Sequence, residues 1–320
     1  MTKPKRHLPG QVVFITRRTT QRQFFLRPGP DTRNIMGYFY GKYANEAHEV
    51  AHGASTMSTH FHAGQSDRRG MRTDFMRPFF SQTGRKINLL HNRRENMWSS
   101  EEPGDMVLLD LDKIVEELLY IWLQPVAAGC VDEVEDWTGF MILPRHWGKP
   151  MRFKRPKFCG PTMPEEVIFT PMPPPGFDHL PLDQVIAYFE SLIAREEERY
   201  RKKRKRKVLG IDYCEAISPF HTPKTDAPMR TLNPRFSGTN IRRLGKALEK
   251  HRELIAEHRQ ALDAFRGGDR TAVFPSGTIQ LVHLAGVSTH PLERDDPHLT
   301  DVRWTDGVQH SWDVFLRSHP

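Results

Sequence analysis

Residues 54–63 read Ala-Ser-Thr-Met-Ser-Thr-His-Phe-His-Ala and lie between two glycines, Gly53 and Gly64. This composition and these bounds predict a β-strand. Because successive side chains of a strand point to opposite faces, we expect His60 and His62 to project together while Phe61 enters the core. Two adjacent imidazoles make up half of a divalent-metal site. The chain has 16 histidines in 320 residues, so about one His-x-His is expected by chance and the pair alone indicates little.

The segments around this strand predict a mixed domain. A β-branched and aromatic run predicts a strand over 12–16, and Asp31 caps a predicted helix that continues to about residue 47. Residues 70–98 are predicted to form a helix and then a loop. Asp112 opens a further helix with one apolar face, which Pro125 ends. Two strands separated by a helix and followed by helices are typical of an α+β domain rather than of a parallel βαβ sheet.

Charge and cysteine content limit the function classes. Lys and Arg number 47 against 39 Asp and Glu, a formal net charge of +8 that suits a polyanionic partner such as nucleic acid, with ordinary solubility charge as the alternative. No stretch approaches the ~20 apolar residues of a membrane span, so no membrane partner is expected. Three widely spaced cysteines without a Cys-x-x-Cys pair argue against structural zinc and disulfides. They favour a reducing cytoplasm, and no apolar signal segment follows the basic N-terminus.

The second half of the chain has a different composition. Residues 144–177 are rich in Pro, Lys and Arg and indicate a connector. An amphipathic helix follows and runs into seven consecutive basic residues, Arg201–Lys207. A second long helix is predicted over 239–266, and a β-hairpin over 271–287. We therefore predict three parts: a first domain over 1–145, a Pro-rich basic linker over 146–180, and a mainly helical accessory region over 181–320 that is a candidate for DNA binding.

The end of the third predicted helix carries two polar residues of chemical interest. Tyr120 and Gln124 are four residues apart, so they share one helical face. The apolar face, with Ile114, Leu118 and Ile121, is expected to pack on the sheet and to leave the polar face able to cross the histidines. An amide oxygen would then complete a set of two imidazoles and one amide, with the tyrosine one turn away as a nucleophile. The alternative is structural: a half-buried aromatic and a residue that caps the helix end.

Two motifs in this order resemble those of the single-tyrosine HUH transposases. Residues 57–62, Met-Ser-Thr-His-Phe-His, resemble the family's Met-Pro-Asn-His-x-His stretch. Residues 120–129, Tyr-Ile-Trp-Leu-Gln-Pro-Val-Ala-Ala-Gly, resemble its Tyr-Ile-x-x-Asn/Gln-Pro-Val-x-Ala-Gly signature, especially in the REP-associated tyrosine transposases. The resemblance covers about residues 10–140. Ser58 and Thr59 depart from the family's Pro-Asn, but the imidazoles and the phenol are retained.

The resemblance implies a ferredoxin-like antiparallel sheet of four or five strands with helices on one face. It implies that His60, His62 and Gln124 hold Mg²⁺ or Mn²⁺ on the scissile phosphate of single-stranded DNA, and that Tyr120 attacks the phosphorus. The tyrosine would become joined to the 5′ side and release a 3′-hydroxyl, and the reverse attack would rejoin strands. The partner would be single-stranded DNA with a hairpin or repeat. The family contains monomers and dimers, so a homodimer stays an open alternative.

Basic and aromatic residues supply candidate DNA contacts. Four arginines are candidates for phosphate contacts beside the site: Arg17, Arg18, Arg93 and Arg94. Four residues of the basic run are candidates for contact with a hairpin or duplex: Arg201, Lys202, Lys203 and Arg204. Trp98 and Trp122 are candidates for base stacking, although core packing is the favoured alternative.

We therefore predict a metal-dependent transposase that nicks and transfers single-stranded DNA in the cytoplasm, in association with the nucleoid. The alternative is a domesticated DNA-binding factor that recognises repeat hairpins without cutting them. The intact histidine pair, tyrosine and glutamine count against that alternative. An RNA-binding module of similar sheet topology comes last, because the predicted strands carry no RNP-like aromatic pattern.

Overall fold

The computed structural model describes residues 4–224 and 233–318 of the chain. In chain order its elements are β1 (Gln11–Arg18), α1 (Pro30–Ala47), β2 (Glu49–Met57), β3 (His60–Asp67), α2 (Arg72–Leu90), β4 (Gly104–Leu108), α3 (Leu111–Trp122), α4 (Gln124–Ala127), β5 (Met141–Ile142), β6 (Met151–Lys154), β7 (Glu166–Phe169), α5 (Leu182–Lys203), α6 (Ile211–Ala216), β8 (Phe236–Ser237), α7 (Ile241–Arg266), β9 (Val273–Phe274), α8 (Ile279–Ala285), β10 (Ser288–Thr289) and α9 (Asp306–Ser318).

The central sheet has the order β5-β2-β3-β1-β4-β8. Its middle four strands pair antiparallel throughout, and the chain enters them in the sequence β1-α1-β2-β3-α2-β4. This connectivity is ferredoxin-like, so the predicted α+β class and topology are confirmed. The sheet has six strands rather than four or five, because the accessory region adds β8, which runs parallel to β4.

A tight turn divides the strand that the sequence predicts over 54–63. β2 ends at Met57, and β3 begins at His60, which is its partner across the turn. The prediction of one continuous strand is wrong because Ser58 and Thr59 form the turn, and Gly53 and Gly64 lie inside the two strands rather than at their ends.

The two glycines face each other in register beneath α3. A Cβ on Gly53 would lie 2.8 Å from Trp122 Nε1, and a Cβ on Gly64 would lie 2.8 Å from Leu118 Cδ2. The missing side chains therefore let the helix approach the sheet closely.

Helices cover both faces of the sheet, which corrects the expectation of one covered face. Val13 and Ile15 of β1 point into a core shared with α1 and α2, whereas Val12 and Phe14 point into a second core shared with α3. Both sets of side chains are apolar, so each face needs a cover. The two crossover helices do lie on one face, as the ferredoxin-like pattern requires.

The stretch predicted as a linker packs against the first domain. Phe153 of β6 and Phe169 of β7 stack with ring centroids 6.1 Å apart and enter the same core as α1. The backbone N–H of Met172 donates to the carbonyl of Ala51 at 2.9 Å, which attaches the segment to β2. β6 and β7 therefore form a hairpin that covers part of the first domain. The division into three domains stays a prediction.

Buried His52 of β2 joins the same segment and predicts a pH-dependent stability. Its Nδ1 lies 2.9 Å from the carbonyl of Met172 and its Nε2 lies 2.7 Å from Ser66 Oγ. Desolvation lowers the pKa of His52 from 6.5 to about 4. Between these two pKa values the unfolded chain binds a proton at His52 and the folded chain does not. The contribution of His52 to stability is therefore complete above the unfolded pKa and is lost as the pH falls toward about 4.

We expect the free energy of unfolding to decrease by roughly 3 kcal/mol from this residue over that interval. Urea titrations at pH 7, 6, 5 and 4.5 on wild type and His52→Leu would measure the difference. The variant is expected to be less stable at pH 7 but to lose less stability on acidification. Parallel curves for the two proteins would contradict the assignment.

The C-terminal half is mainly helical, as predicted, with small β elements. The predicted hairpin over 271–287 is wrong: β9 and β10 pair parallel, and α8 crosses between them. The turn at Pro275 leads into this short helix, and Thr278 Oγ1 donates to the Pro275 carbonyl at its start. Among the described residues, no helix combines the length and the apolar composition that a membrane crossing requires.

Candidate active site

The two predicted histidines lie at the start of β3. In the register with β1, His60 is opposite Arg18 and His62 is opposite Thr16. The two imidazole centroids are 4.6 Å apart. Phe61 between them is fully buried in the core on the other face, so the predicted alternation is confirmed.

α3 is fixed over these histidines from both of its ends. Asp110 caps the helix through a 3.0 Å hydrogen bond from a backbone N–H, so α3 begins at Leu111 rather than at Asp112. Trp122 is fully buried at the other end, and its Nε1 donates to the Ile142 carbonyl at 2.7 Å. Trp122 is thus a core residue and cannot stack on a base.

Tyr120 and Gln124 reach the histidine pair from this helix and the turn that follows it. Gln124 Oε1 lies 3.2 Å from His60 Nε2, and Gln124 Nε2 donates to the Tyr120 carbonyl at 3.1 Å. The Tyr120 ring centroid is 5.5 Å from that of His62, and 50% of the tyrosine is exposed. Phe14 of β1 contacts both rings, at 5.1 Å from His62 and 6.1 Å from Tyr120. The structure therefore brings the four predicted residues together, and their chemical roles stay predictions.

Thr59 forms a hydrogen bond with His60 that fits either neutral tautomer of the imidazole. Thr59 Oγ1 lies 2.8 Å from His60 Nδ1. When Nε2 is protonated and donates to Gln124, the hydroxyl donates to Nδ1. When Nε2 is deprotonated, the proton can sit on Nδ1 and the hydroxyl accepts it instead. The hydrogen bond is therefore compatible with a free nitrogen on the side of Gln124, which a metal ligand needs.

Burial keeps both imidazoles neutral. Desolvation lowers the pKa of His60 from 6.5 to about 4, opposed by the Gln124 hydrogen bond and aided by the charge of Arg18. Desolvation, and then the neighbouring His60, lower the pKa of His62 well below its ordinary value. The neutral imidazole is the form that binds metals.

The donor set fits a divalent cation with uncharged ligands. His62 Nδ1 is buried and has no hydrogen-bond partner among the described residues. Within the same residues, no three His, Cys, Asp or Glu side chains cluster around a metal position, so Gln124 would be the third ligand. Uncharged ligands leave the charge of the ion uncompensated, so an anionic ligand such as a phosphate is expected to complete the site.

The first pair of candidate arginines is divided between the two faces of the sheet. Arg18 shares the face of His60, and its Nη2 lies 3.2 Å from Glu101 Oε2. Arg17 faces the other way and places its guanidinium 5.0 Å from the Phe80 ring centroid, where burial lowers its pKa from 12.5 to about 10. The expected position of Arg17 beside the site is wrong, because strand alternation turns it toward α2.

The second arginine pair lies at the same end of the sheet, in the loop after α2. The Arg93 guanidinium sits 3.8 Å from the Phe25 ring centroid and donates to Asn88 Oδ1 at 2.9 Å. Arg94 is exposed beside it. Trp98 is buried, and its Nε1 donates to a backbone carbonyl, so the core alternative is confirmed for this residue as well.

The basic run begins at the end of α5 and passes close to the turn that carries Gln124. Arg204 Nη2 donates at 2.9 Å to the Val126 carbonyl in α4. Three of its members form ion pairs, which are Arg201 with Glu133, Lys202 with Glu198, and Arg204 with Asp132. Lys203 is exposed at the end of α5. Contact of these residues with DNA stays a prediction.

Thr59 and Phe14 are the two site residues that the sequence analysis missed. Thr59 is noted there only as a departure from a motif, although its position next to His60 allows a side-chain hydrogen bond. Phe14 and Thr16 have the same parity in β1, so the register with β3 places Phe14 on the face of the histidines. That signal needs the strand pairing, which the sequence alone does not supply.

Two of the solved structures that are similar to this chain are described as transposases. No protein-family model matches the chain, and no curated protein matches it. A REP-associated tyrosine transposase solved bound to a REP hairpin is 17% identical, with a TM-score of 0.37, over 46% of this chain and 85% of its own. A transposase candidate from Deinococcus radiodurans is 12% identical, with a TM-score of 0.25, over 32% of this chain and 82% of its own. The motif resemblance to single-tyrosine HUH transposases is thus accompanied by a weak similarity to two structures described as transposases.

Proposed function

We propose that this chain is a transposase that nicks single-stranded DNA and transfers the strand through a covalent bond to Tyr120, with Mg²⁺ or Mn²⁺ as cofactor. The observation that carries the proposal is the half-exposed tyrosine ring 5.5 Å from His62, with His60 and Gln124 joined at 3.2 Å on the same surface. A solvent-open nucleophile beside neutral metal ligands suits attack on a phosphodiester.

The reaction balances without a further reactant. The Tyr120 oxygen forms a bond to phosphorus, the bond from phosphorus to the 3′ oxygen breaks, and the phenol proton passes to that 3′ oxygen, which leaves as the 3′-hydroxyl. Tyrosine is a weak nucleophile near neutral pH, so it must lose that proton as the new bond forms. Because a phenolate leaves more easily than an alkoxide, a 3′-hydroxyl can reverse the step and join strands.

The chain's own residues prepare this attack. His60, His62 and Gln124 would hold the cation, which when bound supplies positive charge to the phosphate oxygens in the transition state. Desolvation keeps both imidazoles unprotonated, and Thr59 orients the first of them. Phe14 packs against both His62 and Tyr120, which fixes the spacing of the ligand and the nucleophile.

A strand-labelling experiment tests the proposal. Single strands with a hairpin and randomised flanks, labelled at the 3′ end, would be incubated with the protein and Mn²⁺ or Mg²⁺ and resolved in SDS. We expect label on the protein, and a shortened product with a free 3′-hydroxyl from 5′-labelled strands. Excess chelator should remove both. A complex that forms without a covalent band under any divalent metal would instead favour the binding factor that recognises hairpins without cutting.

The exposed part of the basic run is expected to contribute phosphate contacts. Lys203, Lys205 and Arg206 are exposed and form no ion pair with any residue in the two described ranges. Each neutralised phosphate of a single strand contributes about 0.7 to the slope of log affinity against log salt. The triple variant with Gln at these positions should therefore reduce that slope by about 2 and weaken binding at low salt.

Fluorescence anisotropy over a salt series with a labelled single strand measures this slope. Arg242→Gln/Lys246→Gln/Arg252→Gln on α7 removes the same charge from exposed positions elsewhere and serves as the matched control. Equal slopes in the two triple variants would show that only net charge matters, and the local contact would then be rejected.

A further inference from the structure

A polar cavity of about 650 Å³ lies beside the candidate active site and has no part in the chemistry described above. Its wall combines three amide side chains, two guanidinium groups and one aromatic ring: Gln21, Gln23, Asn96, Arg93, Arg94 and Phe220. One carboxylate, Glu95, also lines it. Amides present both donors and acceptors, so this wall can match the mixed pattern on the edge of a planar heterocycle.

The backbone places this cavity at the end of the sheet that carries His60. The N–H of Thr19 donates to the carbonyl of Thr59 at 2.8 Å, and the N–H of Thr20 donates to Met97 at 2.9 Å. Arg18 is opposite His60 in the register, and two residues of extended chain cover roughly 7 Å. The cavity therefore begins roughly 7 Å along β1 from Arg18, the cross-strand partner of His60.

The loop that forms one wall is held in an unusual conformation. Gln21 and Arg22 are consecutive non-glycine residues in the left-handed region, with φ of 51° and 55°. Such residues cost on the order of 1–3 kcal/mol each and occur most often at ligand-binding or catalytic sites. Gln21 is exposed and lines the cavity from this turn.

Phe220 supplies a fixed aromatic surface. Its ring packs edge-on against Phe25, with centroids 6.1 Å apart at 82°, and 51% of the residue is exposed. Its carbonyl accepts from Gln23 Nε2 at 3.4 Å. Arg93, which also lines the cavity, is held by Phe25 and Asn88, so its guanidinium is already ordered. An exposed aromatic ring in a polar basic cavity is typical of single-strand binding, where bases stack on such rings.

We propose that this cavity receives one unpaired nucleobase of the DNA strand whose neighbouring phosphate lies at the histidine pair. The base stacks on Phe220, its edge contacts the amides of Gln21, Gln23 and Asn96, and Arg94 contacts the adjoining phosphate. Glu95 disfavours a bare phosphate in the cavity and can accept from an exocyclic amino group. The assignment rests on the proposed function for the identity of the strand.

Binding measurements without catalysis test the cavity independently of nicking. The probes are a fluorescent 12-mer of deoxyadenosine and an abasic 12-mer with the same number of phosphates, in excess chelator and on the full-length chain. Phe220→Ala should weaken binding of the deoxyadenosine strand about tenfold and leave the abasic strand unchanged. Phe158→Ala, which truncates another exposed phenylalanine at 41% exposure, is the matched control and should change neither.

A crosslinking measurement on wild type avoids any dependence on the variant. A deoxythymidine 12-mer with one central 5-iodouracil is irradiated on the protein, and the modified peptide is located by mass spectrometry. We expect crosslinks within residues 20–23, 93–96 or at Phe220. The base pocket would be overturned if Phe220→Ala weakened binding of the deoxyadenosine strand and the abasic strand equally. Crosslinks confined to other surfaces would overturn it as well. If binding depends on the bases but no covalent DNA adduct forms under any condition, the pocket is supported and the proposed nicking function is rejected.

Discussion

Tyr120→Phe should abolish the covalent protein–DNA product and reduce nicking by a factor on the order of 10⁴, while binding of the single strand changes little. The substitution removes one oxygen from a ring that is half exposed, so it leaves no cavity in the core. The ring contacts with Phe14 and His62 are retained. Gln124 bonds to the backbone carbonyl of residue 120 rather than to its side chain, so the ligand position is retained too.

Single-turnover nicking of a labelled strand and anisotropy on the same preparation measure both quantities. Tyr213→Phe, at a tyrosine that is 55% exposed on α6, controls for the loss of a phenolic oxygen elsewhere. It should nick at the wild-type rate. Full nicking activity in Tyr120→Phe would show that water or another residue attacks the phosphate, and the tyrosine mechanism would fail.

His62→Ala and His60→Ala should each lower nicking on the order of 10²–10³-fold at saturating Mn²⁺, because each removes one of two imidazole ligands. Both variants should also raise the metal concentration needed for half-maximal activity. The effect on DNA binding without metal should be small, because the imidazoles are neutral and make no charge contact with phosphate.

The control for these variants is His146→Ala. His146 is half-buried like His60, and desolvation lowers its pKa to about 4, but its Nδ1 accepts from the backbone N–H of Leu143 rather than facing the site. If the loss of any buried histidine lowers nicking through reduced stability, His146→Ala should lower it as much as His60→Ala and His62→Ala do. Equal nicking losses in His62→Ala and His146→Ala, with unchanged metal dependence, would assign the effect to stability instead of to metal binding.

Strand alternation and helix spacing predict which site residues share a face, and the resemblance to a known family predicts that the two pairs lie together. Period two places His60 and His62 on one face, and a four-residue spacing places Tyr120 and Gln124 on one side of the helix turn. Both pairings are local consequences of the backbone, whereas the approach of α3 to β3 depends on tertiary packing at Gly53 and Gly64. The same alternation in β1 places Arg17 and Arg18 on opposite faces of the sheet.

Features set by tertiary packing were not predictable in this way. The sequence predicts Gly53 and Gly64 as strand boundaries. Both lie inside strands instead, where the missing side chain leaves room for Trp122 and Leu118 of α3. The Pro-rich segment was predicted as a free connector because Pro and Lys dominate its composition. Its Phe153 and Phe169 nonetheless enter the core beside α1. This packing depends on the apolar surface that α1 presents, and the sequence of the segment does not specify that surface.

Mapping of the covalent adduct shows whether Tyr120 is the residue that becomes joined to DNA. The chain has 7 tyrosines, but cleavage after Lys113 and Arg145 yields the peptide 114–145, in which Tyr120 is the one tyrosine. Wild-type protein incubated with a hairpin-containing strand and Mn²⁺ would be digested with trypsin and nuclease and examined by mass spectrometry. We expect this peptide to carry a nucleotide attached to the tyrosine through its 5′ phosphate. Nicked DNA that accumulates while peptide 114–145 stays unmodified, or an adduct on another residue, would contradict it.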